Sequence, residues 1–194
     1  KNIFIETALA IHKKTKVFFQ KKEYDLSNWE KITVDEAFYK YAEVYPDEYE
    51  KMVSLIREKL HFAGSNLDYE TAFFLIYSHF VEPNLGKEKP TFIYDYPPEF
   101  SALAKIVNGK GKRFEAYING LELVNGYYEE NNPEEIKKRF NADIQKKKKE
   151  IGENFPIDKE FLESLRNLPE CSGASLGVDR LMMVLLNKDN IKSI

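Results

Sequence analysis

The stretch that decides the fold is 112–130, KRFEAYINGLELVNGYYEE. Two strand-like runs flank Asn119-Gly120, and Asn-Gly between such runs is the strongest short-range signal for a β-hairpin with a two-residue turn. That turn sets Tyr117 opposite Glu122 and Glu115 opposite Val124. Side chains alternate along a strand, so Glu115, Tyr117, Glu122 and Val124 share one face. Glu115 and Glu122 are diagonal neighbours there, within reach of a common ligand. Two carboxylates this close repel unless a cation sits between them. Oxygen ligands of this kind suit Mg²⁺, completed by water and phosphates. The ordinary alternative is a solvated sheet face with two scattered glutamates. Strict alternation puts Asn125 on the opposite face, unless Gly126 marks a bulge that resets the register. Glu129 leaves the strand within a few residues and can swing back toward the same place.

Outward from the hairpin, KPTFIYDYP (89–97) reads as a strand bounded by prolines. The segment 131–150 reads as a helix capped by Asn132, with Pro133 in its first turn and Ile136, Phe140 and Ile144 on its apolar face. DKEFLESLRNL (158–168) is a short helix. In the tail, GASLGVDRLMM (173–183), a small-residue turn opens a helix that carries Arg180 in its first turn. An arginine entering a core is costly unless something anionic meets it; a neighbouring acid is the simplest partner. Upstream, 2–20 has mostly helical spacing. The pair Thr33 and Glu36 has capping-box spacing and opens a helix over 33–44. A third helix covers 46–62 with Pro46 in its first turn, and 67–80 is a buried fourth. Helices come first, then strands with helices and no βαβ alternation. The expected class is α+β, with a mainly antiparallel sheet flanked by helices.

Composition narrows the function. The 194 residues are 43% hydrophobic and 31% charged with a net charge of -3, so no global charge favours nucleic acid or an acidic membrane. The single cysteine, Cys171, excludes an internal disulfide and a cysteine metal cluster. It fits a reducing compartment, and catalysis by it is disfavoured. No apolar run reaches the roughly 18–20 residues of a membrane span. No signal-peptide pattern opens the chain, and the expected location is the cytoplasm. His12, His61 and His79 do not cluster. The basic run Lys146–Lys149 reads as a solvated helix end that complements the dipole, or else as a contact for an acidic protein or RNA.

FEAYINGLELVNGYYEENNPEEIKKRF, PIDKEFLESL and GASLGVDRLMMVLL together resemble the C-terminal half of the catalytic domain of class II aminoacyl-tRNA synthetases of the lysyl type. EPNLGKEKPTFIYDYP and PECSGASLGVDRL are similar to a paralogous group, the elongation factor P β-lysine ligases. Lysyl-tRNA synthetases usually have a Pro-Thr-Gly-Gly-like run where this chain has Glu170-Cys171-Ser172-Gly173. The resemblance implies one structural domain, with residues 1–82 a helical segment and 83–194 the C-terminal half of the core.

It also implies an enzyme that joins lysine or β-lysine to ATP as an adenylate, then passes the acyl group to a lysine of elongation factor P. The alternatives are transfer to tRNA-Lys and a non-catalytic, synthetase-like binding protein. On this resemblance Glu115 and Glu122 hold Mg²⁺ on the phosphates, and Glu122, Leu123, Gly177 and Arg180 meet ATP. Asn125 holds the substrate carboxylate, Glu129 pairs with the side-chain ammonium, and Ser175 narrows the pocket floor and bears on the lysine isomer. Arg180 and Glu122 are the catalytic pair. The full-length protein is expected to be a homodimer. The family's first two motifs are expected before residue 1. None of Arg57, Arg113, Arg139, Arg166 and Arg180 has the context of the second motif's arginine, so this stretch alone is expected to be inactive or nearly so.

Overall fold

The computed structural model describes residues 1–64, 67–153 and 155–194. Helix α1 (Asn2–His12) stops where Lys13 takes a left-handed conformation, φ 59°, and returns its N–H to the Leu9 carbonyl. The expected helix over 2–20 is therefore cut short: Lys16–Phe19 (β1) and Lys22–Asp25 (β2) pair as an antiparallel hairpin. Strand β3 (Glu30–Thr33) leads into α2 (Val34–Ala42). The capping box joins them as the spacing predicts. The Glu36 N–H donates to Thr33 Oγ1 at 3.2 Å, and the Thr33 N–H donates to Glu36 Oε2 at 2.8 Å.

Helix α3 (Tyr49–Leu60) starts after Pro46, which stays outside it. Helix α4 (Tyr69–Ile76), capped by Asp68, continues as a π-helical turn, Tyr77–Val81. The remaining strands and α-helices are β4 (Thr91–Tyr96), β5 (Ile106–Val107), β6 (Lys110–Ile118), β7 (Leu121–Tyr128), α5 (Pro133–Ile151), α6 (Lys159–Leu165), β8 (Ser172–Leu176) and α7 (Val178–Leu186). Asn132 caps α5 through its Oδ1, with Pro133 in the first turn.

The main sheet runs β3-β4-β6-β7-β8, with β5 beside β6. All its pairings are antiparallel except β3 with β4. That parallel pair, joined through α2, α3 and α4, is a crossover that the sequence reading did not contain. It places a strand of the first 82 residues in the same sheet as the hairpin. The fold is mixed α and β, with an antiparallel-rich sheet flanked by helices. One face buries Ile32, Ile93, Tyr96 and Tyr117 with Phe38, Ile56 and Phe73 of α2, α3 and α4. The other buries Ala116, Ile118, Leu123 and Val124 with Phe4 of α1, Phe19 of β1 and Leu181 and Val184 of α7. No described helix is long and apolar enough to cross a membrane.

The hairpin turn is as expected: Asn119 and Gly120 both have positive φ, 51° and 73°. Tyr117 pairs with Glu122. Beyond that point the register departs from the expectation. Ala116 pairs with Val124 and Glu115 with Asn125, so Leu123 is an extra residue on β7. The bulge lies at Leu123, not at Gly126, and Leu123 and Val124 both bury toward α7. After it, alternation carries Asn125, Tyr127 and Glu129 onto the face already occupied by Glu115, Tyr117 and Glu122.

Gly126 has a different duty. A Cβ there would lie 2.5 Å from the Phe114 ring and 2.8 Å from the Gly173 carbonyl oxygen. Gly126→Ala is expected to lower stability by about 1–3 kcal/mol, the usual range for forced overpacking. Chemical denaturation checks this; an unchanged midpoint would show that the sheet opens there without resistance.

Candidate active site

The hairpin face carries a buried charge. Glu115 is 5% exposed, and its carboxylate is surrounded by donors. The Arg113 guanidinium reaches Oε1 at 2.5 Å. The hydroxyls of Tyr117 and Tyr77 donate to Oε2 at 2.6 and 3.0 Å. Tyr96 lies 3.0 Å from the Tyr77 hydroxyl. Arg113 also donates to the Phe100 carbonyl at 2.9 Å and lies over the Tyr96 ring. Tyr77 comes from the π-helical turn after α4, so one carboxylate ties the hairpin to the helical layer. Burial raises the phenol pKa of Tyr77, Tyr96 and Tyr117, which keeps all three as neutral donors at physiological pH.

Glu122 lies on the same face and is half-buried. Burial first, and Glu115 second, raise its carboxyl pKa, while Arg180 opposes them. Arg180 projects from the first turn of α7 and donates through Nη1 to the Glu122 backbone oxygen at 2.8 Å. The same Nη1 is 3.6 Å from Glu122 Oε2. The partner that the sequence demanded for this arginine is thus Glu122, not its neighbour Asp179. Half of the Arg180 side chain remains exposed, so it is available to a ligand. Glu82, which the sequence reading did not single out, joins this group. Its carboxyl pKa is raised by burial, then by Glu115, and its Oε1 is 3.5 Å from the Tyr117 hydroxyl. Only the fold could reveal it, because it arrives from the 3-10 turn Glu82–Asn84 that follows the π turn.

Strand β8 completes the floor. Ser175 pairs with Asn125, and Gly173 with Tyr127. Gly177 precedes α7 with φ -72°, an ordinary backbone conformation. The nearest atoms to a Cβ there would be in the Arg180 side chain, at 3.4 Å or more, so neither backbone strain nor a close clash accounts for this glycine. Its N–H donates to the Leu123 carbonyl at 2.9 Å. Leu123, expected beside the nucleotide, turns its side chain to the opposite face and is 2% exposed.

Glu129 sits at the far end of the row. Its backbone N–H donates to the Cys171 carbonyl. Burial raises its carboxyl pKa. Among the described residues no lysine or arginine pairs with it. A Cβ on Gly173 would stand 2.6 Å from Glu129 Oε1, so the glycine makes room for this carboxylate. The structure thus gathers Glu115, Glu122, Asn125, Glu129, Ser175 and Arg180 on or beside one sheet face. Lys146 is paired with Glu70 of α4, and His12 with the Leu185 carbonyl, so neither belongs to the site.

The sequence model of the family of class II tRNA synthetases (D, K and N) matches residues 1–194. The chain belongs to this family. It is 39% identical over 173 residues to the elongation factor P–(R)-β-lysine ligase homolog of Aquifex aeolicus (strain VF5). That match covers 89% of the chain and 57% of the relative, so the chain spans little more than half of that protein's length.

A metal can be judged on the donors present. Among the described residues no cluster of three or more His, Cys, Asp or Glu side chains closes on one point. Glu115 and Glu122 offer oxygen only, and the charge of Glu115 helps to raise the Glu122 carboxyl pKa. Two carboxylates of this kind fit Mg²⁺ that keeps most of its ligands as water and substrate phosphate.

The raised pKa of Glu129 has a stability consequence. A carboxyl group whose folded pKa lies above its unfolded value loses stability as pH rises through the folded pKa. Glu129→Gln should therefore be at least as stable as the parent chain at pH 7. Any advantage should vanish below the ordinary carboxylate range, about pH 4. Thermal unfolding across pH measures this; a variant less stable at pH 7 would mean that Glu129 has a cationic partner.

Proposed function

We propose that the chain forms part of the catalytic core of an ATP-dependent ligase that makes lysyl-adenylate and passes the acyl group to a lysine of elongation factor P. The observation that carries this reading is the shared face. Arg180 and Glu122 lie at one end, Asn125 and Ser175 in the middle, and at the other the carboxylate of Glu129, with which no described lysine or arginine pairs.

Glu129 receives the substrate's side-chain ammonium, a charge-assisted contact that relieves its desolvation. Asn125 holds the carboxylate, and Ser175 limits the space around the carbon that bears the amine. Gly177 leaves room for the nucleotide to approach the backbone. Arg180 meets the nucleotide through its charge and its flat guanidinium. Leu123 contributes indirectly, as the bulge that carries Glu122 and Gly177. Glu115 and Glu122 hold Mg²⁺, which when bound withdraws charge from the phosphates.

In the first step a carboxylate oxygen of lysine attacks the α-phosphorus of ATP, the bond to the bridging oxygen breaks, and pyrophosphate leaves. In the second the acceptor amine attacks the acyl carbon, AMP leaves, and the amine loses a proton. The name of the Aquifex relative favours a protein acceptor and β-lysine. The synthetase family match keeps tRNA-Lys as the alternative acceptor. The reading also includes a homodimer and a cytoplasmic location.

Lysine-dependent ATP–pyrophosphate exchange tests the first step, with α-lysine and β-lysine in parallel. In a longer protein carrying this sequence, exchange is expected, and Glu129→Gln should weaken lysine use about thirtyfold or more, the effect of removing one partner of a buried charge pair. ATP binding should change little. Equal loss of both would contradict the role of Glu129. The 194-residue chain alone should exchange weakly, because Arg113 is held by Glu115 and Arg180, half exposed, is itself paired with Glu122. Brisk exchange by the chain would overturn that point.

A further inference from the structure

Asn125 is held in an uncomfortable place. Its Nδ2 donates to Glu115 Oε1 at 3.5 Å, the outer limit of a hydrogen bond. Its Oδ1 is buried, and among the described residues no group donates to it. A buried acceptor without a partner carries a penalty. Reversing the amide would only set its oxygen against the Glu115 carboxylate. The amide therefore stays because the charge on Glu115 attracts its N–H, and for no other reason visible around it. The carboxylate does not need it. Glu115 has about four acceptor positions, and Arg113, Tyr117 and Tyr77 fill three of them at 2.5, 2.6 and 3.0 Å. Asn125 is the weakest of the four donors and the first to be displaced.

We propose that Asn125 is a positioning switch that couples cation binding at Glu115 and Glu122 to recognition of the substrate carboxylate. This rests on the functional reading above. A divalent cation drawn to the carboxylate pair competes for Glu115 Oε1 and neutralises its pull on the amide. Asn125 then turns from Glu115 toward the open face beside Ser175, and Nδ2 becomes a donor for a carboxylate. Without the cation that N–H is held by Glu115, and the substrate is gripped mainly through its ammonium at Glu129. The order has a chemical advantage. The carboxylate is the nucleophile of adenylate formation, and it is aligned only when the phosphate-binding end is charged with metal.

The test uses calorimetry on the 194-residue chain with two ligands, lysine and cadaverine, which keeps the ammonium and lacks the carboxylate. Saturating Mg²⁺ alone should tighten lysine about fivefold or more, the lower range of allosteric coupling, and leave cadaverine unchanged. In Asn125→Ala the effect of Mg²⁺ on lysine should disappear while cadaverine binding stays. Asn125→Ser serves as a second variant, and the side-chain amide resonance of Asn125 should shift when Mg²⁺ is added without lysine. If Mg²⁺ tightens lysine equally in Asn125→Ala, or tightens cadaverine as much, the switch is wrong. If lysine binds through Glu129 but ignores Mg²⁺, the switch fails and the ligase reading survives. If neither ligand binds, or Glu129→Gln binds both as well as the parent chain, both proposals fall.

Discussion

The rest of the structure depends on one buried carboxylate. Glu115 sits mid-strand, shielded from water, and is tolerable only because Arg113, Tyr117 and Tyr77 converge on it. Those donors come from the hairpin itself and from the turn after α4, elements far apart in sequence. Removing one partner of such a pair typically costs about 3–5 kcal/mol, because the other charge is left buried. The same constraint orders the site. With Glu115 fixed, Glu122 has its like-charged neighbour in a set place, Arg180 has reason to remain beside Glu122, and Asn125 is drawn inward.

The second determinant is the extra residue at Leu123. Without it, the pairing of Tyr117 with Glu122 would put Asn125 and Glu129 on the face packed by α7. With it, Leu123 and Val124 both enter the core, and the polar residues on either side emerge together. The Leu123 carbonyl also receives the Gly177 N–H, which locks the turn before Arg180 to the hairpin. One bulge thus aligns carboxylates, amide and arginine on the face that the reading assigns to the ligand.

Parts of this were legible in the sequence, and for physical reasons. Asn119-Gly120, the Thr33–Glu36 box and the Asn132 cap all declare local backbone geometry through local chemistry. The first hairpin was hidden because Gln20 and Lys21 take positive φ, 46° and 70°, without the glycine or asparagine that usually marks such a turn. Strand β3 was hidden because only Ile32 of its four residues is buried. The bulge carries no glycine, and the nearest one, Gly126, makes room for Phe114. The acids of the site could be named from their residue types and from family resemblance. Tyr77, Tyr96 and Glu82 could not, because their part arises from long-range packing.

The most direct test of the central claim is a crystal structure of a longer protein containing this sequence with a non-hydrolysable lysyl-adenylate analogue. The account predicts the adenylate along the hairpin face, with the ammonium at Glu129 and the phosphate end near Glu122 and Arg180. A ligand on the opposite face, in the aromatic cavity lined by Trp29, Phe92 and Phe114, would contradict it.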